Sequence, residues 1–238
     1  MKTYLISILF YIRARIMRVI RPKESYFLFR NVGPISTRFG YDRGNPIDRY
    51  YIEKFLDINR KLIKGKCLEI HDSNYTKKFG DDRVTVADAL DVDRKNKLSN
   101  IFSDIRDMSI IKDNTYDTLV ITHTIGIVDD YEAAIRECYR ILKPGGVLLF
   151  TSATIGPIWE IEFNYWRFTV PSAKYIFSKY FGEKNVKSES MGNCLAGQAF
   201  WVGMSVEDMT PEELNHNDIH FPVIVTVVAT KVDSKKGH

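Results

Sequence analysis

The sequence predicts an α/β chain: a three-layer domain on a mostly parallel sheet with an antiparallel edge strand, preceded by an amphipathic helix. Three observations predict it. Ile135, Cys138, Ile141 and Leu142 recur at helical spacing and then meet Pro144-Gly145-Gly146, which cannot continue a helix. Val147-Leu148-Leu149-Phe150 follows as an unbroken apolar run, suited to a strand covered on both faces. A similar run, Thr118-Leu119-Val120-Ile121, precedes the helix. Strand, helix, strand in that order implies a parallel pair, and such sheets bind ligands at the carboxyl ends of their strands.

The first element is basic and amphipathic. Leu5, Ile8, Leu9, Ile12, Ile16, Val19 and Ile20 fall on one helical stripe, with Arg15, Arg18 and Arg21 on or beside the opposite face, and Pro22 ends the helix. The apolar stretch from Thr3 to Ile12 is about half the ~20 residues that a spanning helix needs. Arg13, Arg15 and Arg18 stand where a signal peptide would carry small cleavage-site residues. The expectation is an in-plane helix over residues 1–22 on an anionic cytoplasmic leaflet; the alternative is that the stripe packs on the body or on a second copy.

Charge follows the same division. Through Arg30 the chain has seven basic residues against Glu24 alone, a balance of +6, which leaves −2 on the rest of a +4 chain. A slightly acidic body excludes a nucleic-acid footprint. Cys67, Cys138 and Cys194 lack metal-ligand spacing and read as thiols of a reducing compartment, two of them in core elements. No metal site is expected.

Residues 23–44 read as a linker or flap, 45–231 as the domain and 232–238 as a tail. Asn45-Pro46-Ile47-Asp48 starts a helix whose inward face is Ile47, Tyr51, Phe55 and Ile58. Gly65 stops it, Lys66–Ile70 is the first strand, and His71–Gly80 is the loop after it. A second strand ends at Asp91-Val92-Asp93, and Asp104 to Asp107 form an acidic turn. Thr151–Pro171 is aromatic and irregular, with Trp159, Phe163, Tyr165, Trp166 and Phe168, and reads as a lid or acceptor wall. A helix over Ser172–Phe181, a strand near Val186–Ser190, an insertion over Met191–Asp218 and a strand over Val223–Thr230 complete the chain.

From Phe39 to Thr230 this pattern resembles class I S-adenosylmethionine-dependent methyltransferases, most specifically in YEAAIRECYRILKPGGVLLF (Tyr131–Phe150). FGYDRGNPIDRYYIEKFL (Phe39–Leu56) and YWRFT (Tyr165–Thr169) look like a narrower group of methyltransferase-domain proteins associated with bacterial surface-polysaccharide synthesis. The resemblance implies a Rossmann-like methyltransferase fold and S-adenosylmethionine as cofactor. It matches Glu69 to the acid at the donor's methionine end, Asp93 to the acid for the ribose hydroxyls, and Asp104 with Ile105 to the adenine pair. Thr122 and His123 match the place where the fourth strand meets donor and acceptor.

The donor loop departs from the family. His71-Asp72-Ser73-Asn74-Tyr75 stands where glycines let the backbone approach the cofactor, with Asp72 and Asn74 as the residues able to replace glycine. His123 is the candidate base for a sugar hydroxyl, as a strand-end histidine neutral near pH 7; its alternative is a packed histidine. His71 is a weaker candidate, and His216 and His220 mark a polar surface. Glu160, Tyr165, Trp166 and Arg167, with Glu162, form the candidate carbohydrate-facing wall. Arg43, Asp48, Arg49 and Tyr50 are candidates to close over the donor carboxylate. The leading expectation is O-methylation of a sugar hydroxyl on a glycan or glycolipid precursor. The alternative is a non-catalytic module anchoring a polysaccharide-assembly complex, and a nicotinamide-dependent dehydrogenase is disfavoured because no G-x-G-x-x-G opens a helix.

Overall fold

The structure, a computed structural model, describes residues 2–20, 32–158 and 161–232. The chain forms two compact units. One comprises residues 1–51, 155–157 and 190–224, and the other 52–154, 158–189 and 225–238. Residues 32–44 belong to the first unit, together with the whole of the late insertion.

The larger unit is built on a seven-stranded sheet ordered β3-β2-β1-β4-β5-β7-β6. Its strands are β1 (Gly65–Ile70), β2 (Val84–Asp91), β3 (Ile101–Phe102), β4 (Tyr116–Thr122), β5 (Leu142–Ala153), β6 (Val186–Met191) and β7 (Ile224–Thr230). β1 through β5 pair in parallel, with Glu69 level with Val120, Ile70 with Leu90, and Thr122 with Thr151. The β7–β6 side is the antiparallel edge. Lys231, just past β7, accepts from Gly145 at 2.7 Å and donates to Gly146 at 2.9 Å, so the end of β7 meets the start of β5. This is the expected α/β layering.

Local chemistry explains the helices. The helix over Tyr131–Ile141 starts at Asp130, whose side chain accepts from the backbone of Ala133. It buries Ala134, Ile135, Cys138 and Ile141 in the core beside Leu119, Ile121, Leu148 and Phe150. The helix stops before Leu142, earlier than the glycines. The restriction that Pro144 imposes on its neighbour favours extended backbone, and Pro144-Gly145-Gly146 lies in the irregular opening of β5. The helix over Val170–Phe181 is capped reciprocally by Thr169 and Ser172. Phe150 meets Phe168 and Phe177 at ring-centroid distances of 5.9 and 5.0 Å, which joins that helix to the sheet. Cys67 and Cys138 are buried, and burial pushes their thiols up to about 11 and about 12, whereas Cys194 is exposed.

The smaller unit contains α1 (Lys2–Ile20), the start of α2 (Ile47–Ile58), and two helices of the insertion, Cys194–Val202 and Pro211–Asn215. Tyr51 is buried and donates to the Leu214 carbonyl at 3.0 Å. Ile58, expected to face inward, is exposed at the last residue of α2. Gly203 takes φ +77° to end the first insertion helix, and a Cβ there would stand 2.3 Å from the Ser36 carbonyl oxygen. Within residues 32–44, Ile35, Ser36, Gly40, Arg43 and Gly44 are buried, whereas Val32, Gly33, Pro34, Thr37, Arg38 and Tyr41 are exposed. Arg43 does not serve as a donor clamp in this structure: its guanidinium is buried and bonds Asp208 through two nitrogens at 2.8 and 2.9 Å. Tyr50 donates to Asn215 at 2.9 Å.

Candidate active site

Because β1 to β5 run parallel, their carboxyl ends share one edge of the larger unit, and the crossovers on the two sides of β1 and β4 diverge there. Both strands end in a histidine with left-handed backbone: His71 at φ +74° and His123 at φ +53°. Residues other than glycine take this conformation only at a cost, and such positions cluster at functional sites. His71 donates its backbone N–H to Leu90 at 2.8 Å, and His123 donates to Thr151 at 2.8 Å.

The turn after β1 is organised around Glu69. This buried carboxylate accepts from the backbone N–H of Tyr75 at 3.2 Å and of Thr76 at 2.7 Å, at the start of the helix over Asn74–Gly80. Burial raises its pKa to about 7, against the lowering effect of those donors. Asp72 accepts from the Asn74 N–H at 2.8 Å, an Asx turn that tightens the same loop. His71 thus supplies the backbone turn that glycine supplies elsewhere. Its carbonyl is held by Asn96 and Ser99, each at 2.7 Å.

The carboxylate at the end of β2 is Asp91. Its Oδ2 lies 2.9 Å from His71 Nδ1 and accepts from Asn96 at 2.6 Å, while Oδ1 accepts from the Asp93 N–H at 2.9 Å. Burial raises the Asp91 pKa, but these hydrogen bonds outweigh it and leave the group below the ordinary value. Asp93 lies two residues out in an exposed turn, where it accepts from Lys95. Of the two acids in Asp91-Val92-Asp93 the sequence reading chose Asp93; the strand itself ends at Asp91, level with Phe102 of β3.

Beyond β3, Asp104 is held by the guanidinium of Arg106, which also bridges to Asp129, each at 2.6 Å; the first contact is the main cause of the lowered Asp104 pKa. Ile105 is buried in the core with Leu90 and Met108, so its side chain contributes packing. Thr122 and His123 are half-buried at the end of β4. The segment Tyr165-Trp166-Arg167 docks on the loop leaving β4: Trp166 donates from its backbone to Gly126 at 3.0 Å and from its indole to Val128 at 2.8 Å. The Trp166 ring meets Tyr131 edge-on at 5.1 Å, and Tyr165 and Arg167 are exposed beside it. Glu160 and Trp159 lie outside the described residues.

These groups fit a nucleoside sulfonium. A tight turn at His71, the helix start steadied by Glu69, and the strand-end acid Asp91 meet the demands of a methionine moiety and a ribose diol. Comparison with known proteins agrees. Residues 72–150 match the methyltransferase domain family. This is a methyltransferase fold. A demethylmenaquinone methyltransferase of Listeria welshimeri is 38% identical over 81 residues, 33% of this chain and 34% of that protein. The chain thus matches about a third of the length of the curated relatives. Among solved structures, a SAM-dependent methyltransferase from Archaeoglobus fulgidus aligns with TM-score 0.53 at 14% identity, over 77% of this chain and 94% of that one. A SAM-dependent methyltransferase from Thermotoga maritima, described as a possible histamine N-methyltransferase, aligns with TM-score 0.53 at 15% identity, over 90% and 97%. S-adenosylmethionine is the cofactor of this domain class.

Proposed function

We propose that this chain is an S-adenosylmethionine-dependent methyltransferase that O-methylates a sugar hydroxyl of a glycan or glycolipid precursor at the inner face of a bacterial plasma membrane. The observation that carries the acceptor side is the exposed aromatic and cationic strip Tyr165-Trp166-Arg167, docked three residues beyond His123. Aromatic faces suit sugar rings, and charged groups suit their hydroxyls. Glu69, Asp72, Asp91 and Thr122 are the residues to hold the donor, with Asp93 and Asp104 at the rim of the same edge.

When bound, S-adenosylmethionine supplies an electrophilic methyl carbon. The chain's own work is positioning, which accounts for most of the acceleration in a displacement of this kind. His123 takes the proton from the acceptor hydroxyl on a ring nitrogen, and the aromatic strip limits water at the edge where it stands.

Calorimetry with S-adenosylmethionine tests the donor: saturable binding is expected, and none at millimolar donor overturns the transferase reading. Labelled methyl donor added to membrane extracts tests the acceptor. Label in the saccharide fraction is expected, whereas label confined to the quinone fraction would move the acceptor to the class named for the Listeria relative. A His123→Ala variant should keep donor affinity and lose about 10²–10⁴ in turnover; full turnover would remove His123 as the base.

A further inference from the structure

The rotation of α1 about its axis is set by contacts within its own unit. Ala14 is buried, the Arg18 guanidinium donates to the Arg43 carbonyl, and the Met17 carbonyl accepts from the Arg43 guanidinium at 3.4 Å. Arg43 is itself fixed to Asp208, so this face of the helix is tied to a buried ion pair. The opposite face follows from helical geometry. Leu9, Ile12, Ile16, Val19 and Ile20 share that face, and each is between 49% and 78% exposed. One apolar stripe, three turns long, therefore points outward.

Two exposed arginines frame it. Arg15 flanks the stripe on the side of Ile12 and Val19, and Arg13 on the other side, next to Leu9, Ile16 and Ile20. A helix with aliphatic residues along its centre and guanidinium groups on both rims matches a layer of acyl chains under anionic headgroups. It matches a second copy of itself poorly, because pairing two such stripes brings like-charged rims together in a segment whose first thirty residues carry +6. Among the described residues no helix is long and apolar enough to cross a membrane, so the stripe lies on the surface.

We infer that the outward face of α1 is a peripheral docking surface for an anionic phospholipid bilayer, with Ile12, Ile16 and Val19 entering the acyl layer and Arg13 and Arg15 engaging lipid phosphates. This deepens the membrane part of the proposed function and rests on it, while owing nothing to methyl transfer.

Co-sedimentation of the full chain with phosphatidylcholine vesicles, with and without phosphatidylglycerol, tests it. Binding is expected only where phosphatidylglycerol is present, and raised salt should weaken it. The pair Arg13→Glu and Arg15→Glu should lower vesicle affinity on the order of tenfold or more, and the pair Ile12→Asp and Ile16→Asp should abolish binding, with circular dichroism unchanged in both. Equal binding to neutral vesicles, or full binding by the Ile12→Asp/Ile16→Asp chain, overturns the inference. So does a concentration-dependent dimer, in the absence of lipid, that the same aspartates dissociate. Donor calorimetry on the same samples keeps the two readings apart: loss of donor binding with vesicle binding intact defeats the transferase and leaves the docking surface standing.

Discussion

Glu69 and Asp208 are both buried carboxylates, at 3% and 8% exposure, and they solve burial in opposite ways. Asp208 takes two hydrogen bonds from the Arg43 guanidinium and two more from Ser205, through its backbone N–H and its hydroxyl. Burial raises its pKa, but Arg43 and Ser205 outweigh that and hold the carboxyl below the ordinary range. Among the described residues the donors to Glu69 are neutral, the N–H groups of Tyr75 and Thr76 foremost, and burial wins, raising it to about 7. A cation makes a buried acid a fastener. Neutral donors leave it able to titrate, and this one stands at the ligand edge of the sheet.

The largest expected effect comes from breaking the fastener. Arg43→Met leaves Asp208 buried without its cation and should cost about 3–5 kcal/mol in urea unfolding, whereas the double variant Arg43→Met/Asp208→Leu should recover most of the loss. No recovery would mean that the residues hold the unit by shape and not by charge.

The pH dependence sharpens the contrast. The folded pKa of Glu69 lies above its unfolded value, so its contribution to stability is fully present below about 4.5 and is lost as pH rises to about 7. That swing is on the order of 3 kcal/mol, and Glu69→Gln should flatten it in unfolding free energies measured across this window. Asp208 has the opposite sign: its folded pKa is lowered, so its contribution is present above about 3.8 and is lost on further acidification.

A smaller effect separates the two aspartates after β2. Asp91→Ala should weaken donor binding by about 1.5–3 kcal/mol, the range for hydrogen bonds to a charged group, and Asp93→Ala should change it less, both read by calorimetry. The reverse order would return the ribose to Asp93. Smallest of all is a neutral cap: Thr169→Ala removes the acceptor for the Ser172 N–H and should cost about 1 kcal/mol of stability, with no pH dependence.

Much of this was legible in order along the chain. The apolar runs of β4 and β5, the helix between them and the last apolar strand are local patterns whose burial follows from their apolar spacing, and the acidic turn at Asp104 to Asp107 is as local. The end of β2 was less legible: the strand runs to Asp91, level with Phe102 of β3, and Asp93 stands in the turn beyond it. Ile105, matched by resemblance to an adenine contact, is buried in the same core cluster as Leu90 and Met108, which its sequence neighbours alone do not reveal.

The layered α/β plan, the basic helix of the first residues, the lack of a glycine turn after β1 and the histidines that follow β1 and β4 are all local in origin. Each is written in neighbouring residues, through periodicity, side-chain volume and backbone preference. Folding is what brings Arg43 to Asp208, 165 residues away, sets Asp91 against His71, and turns the aliphatic stripe of α1 outward. Those outcomes depend on which groups the folded chain brings within hydrogen-bond distance, and on which face of a helix its neighbours cover.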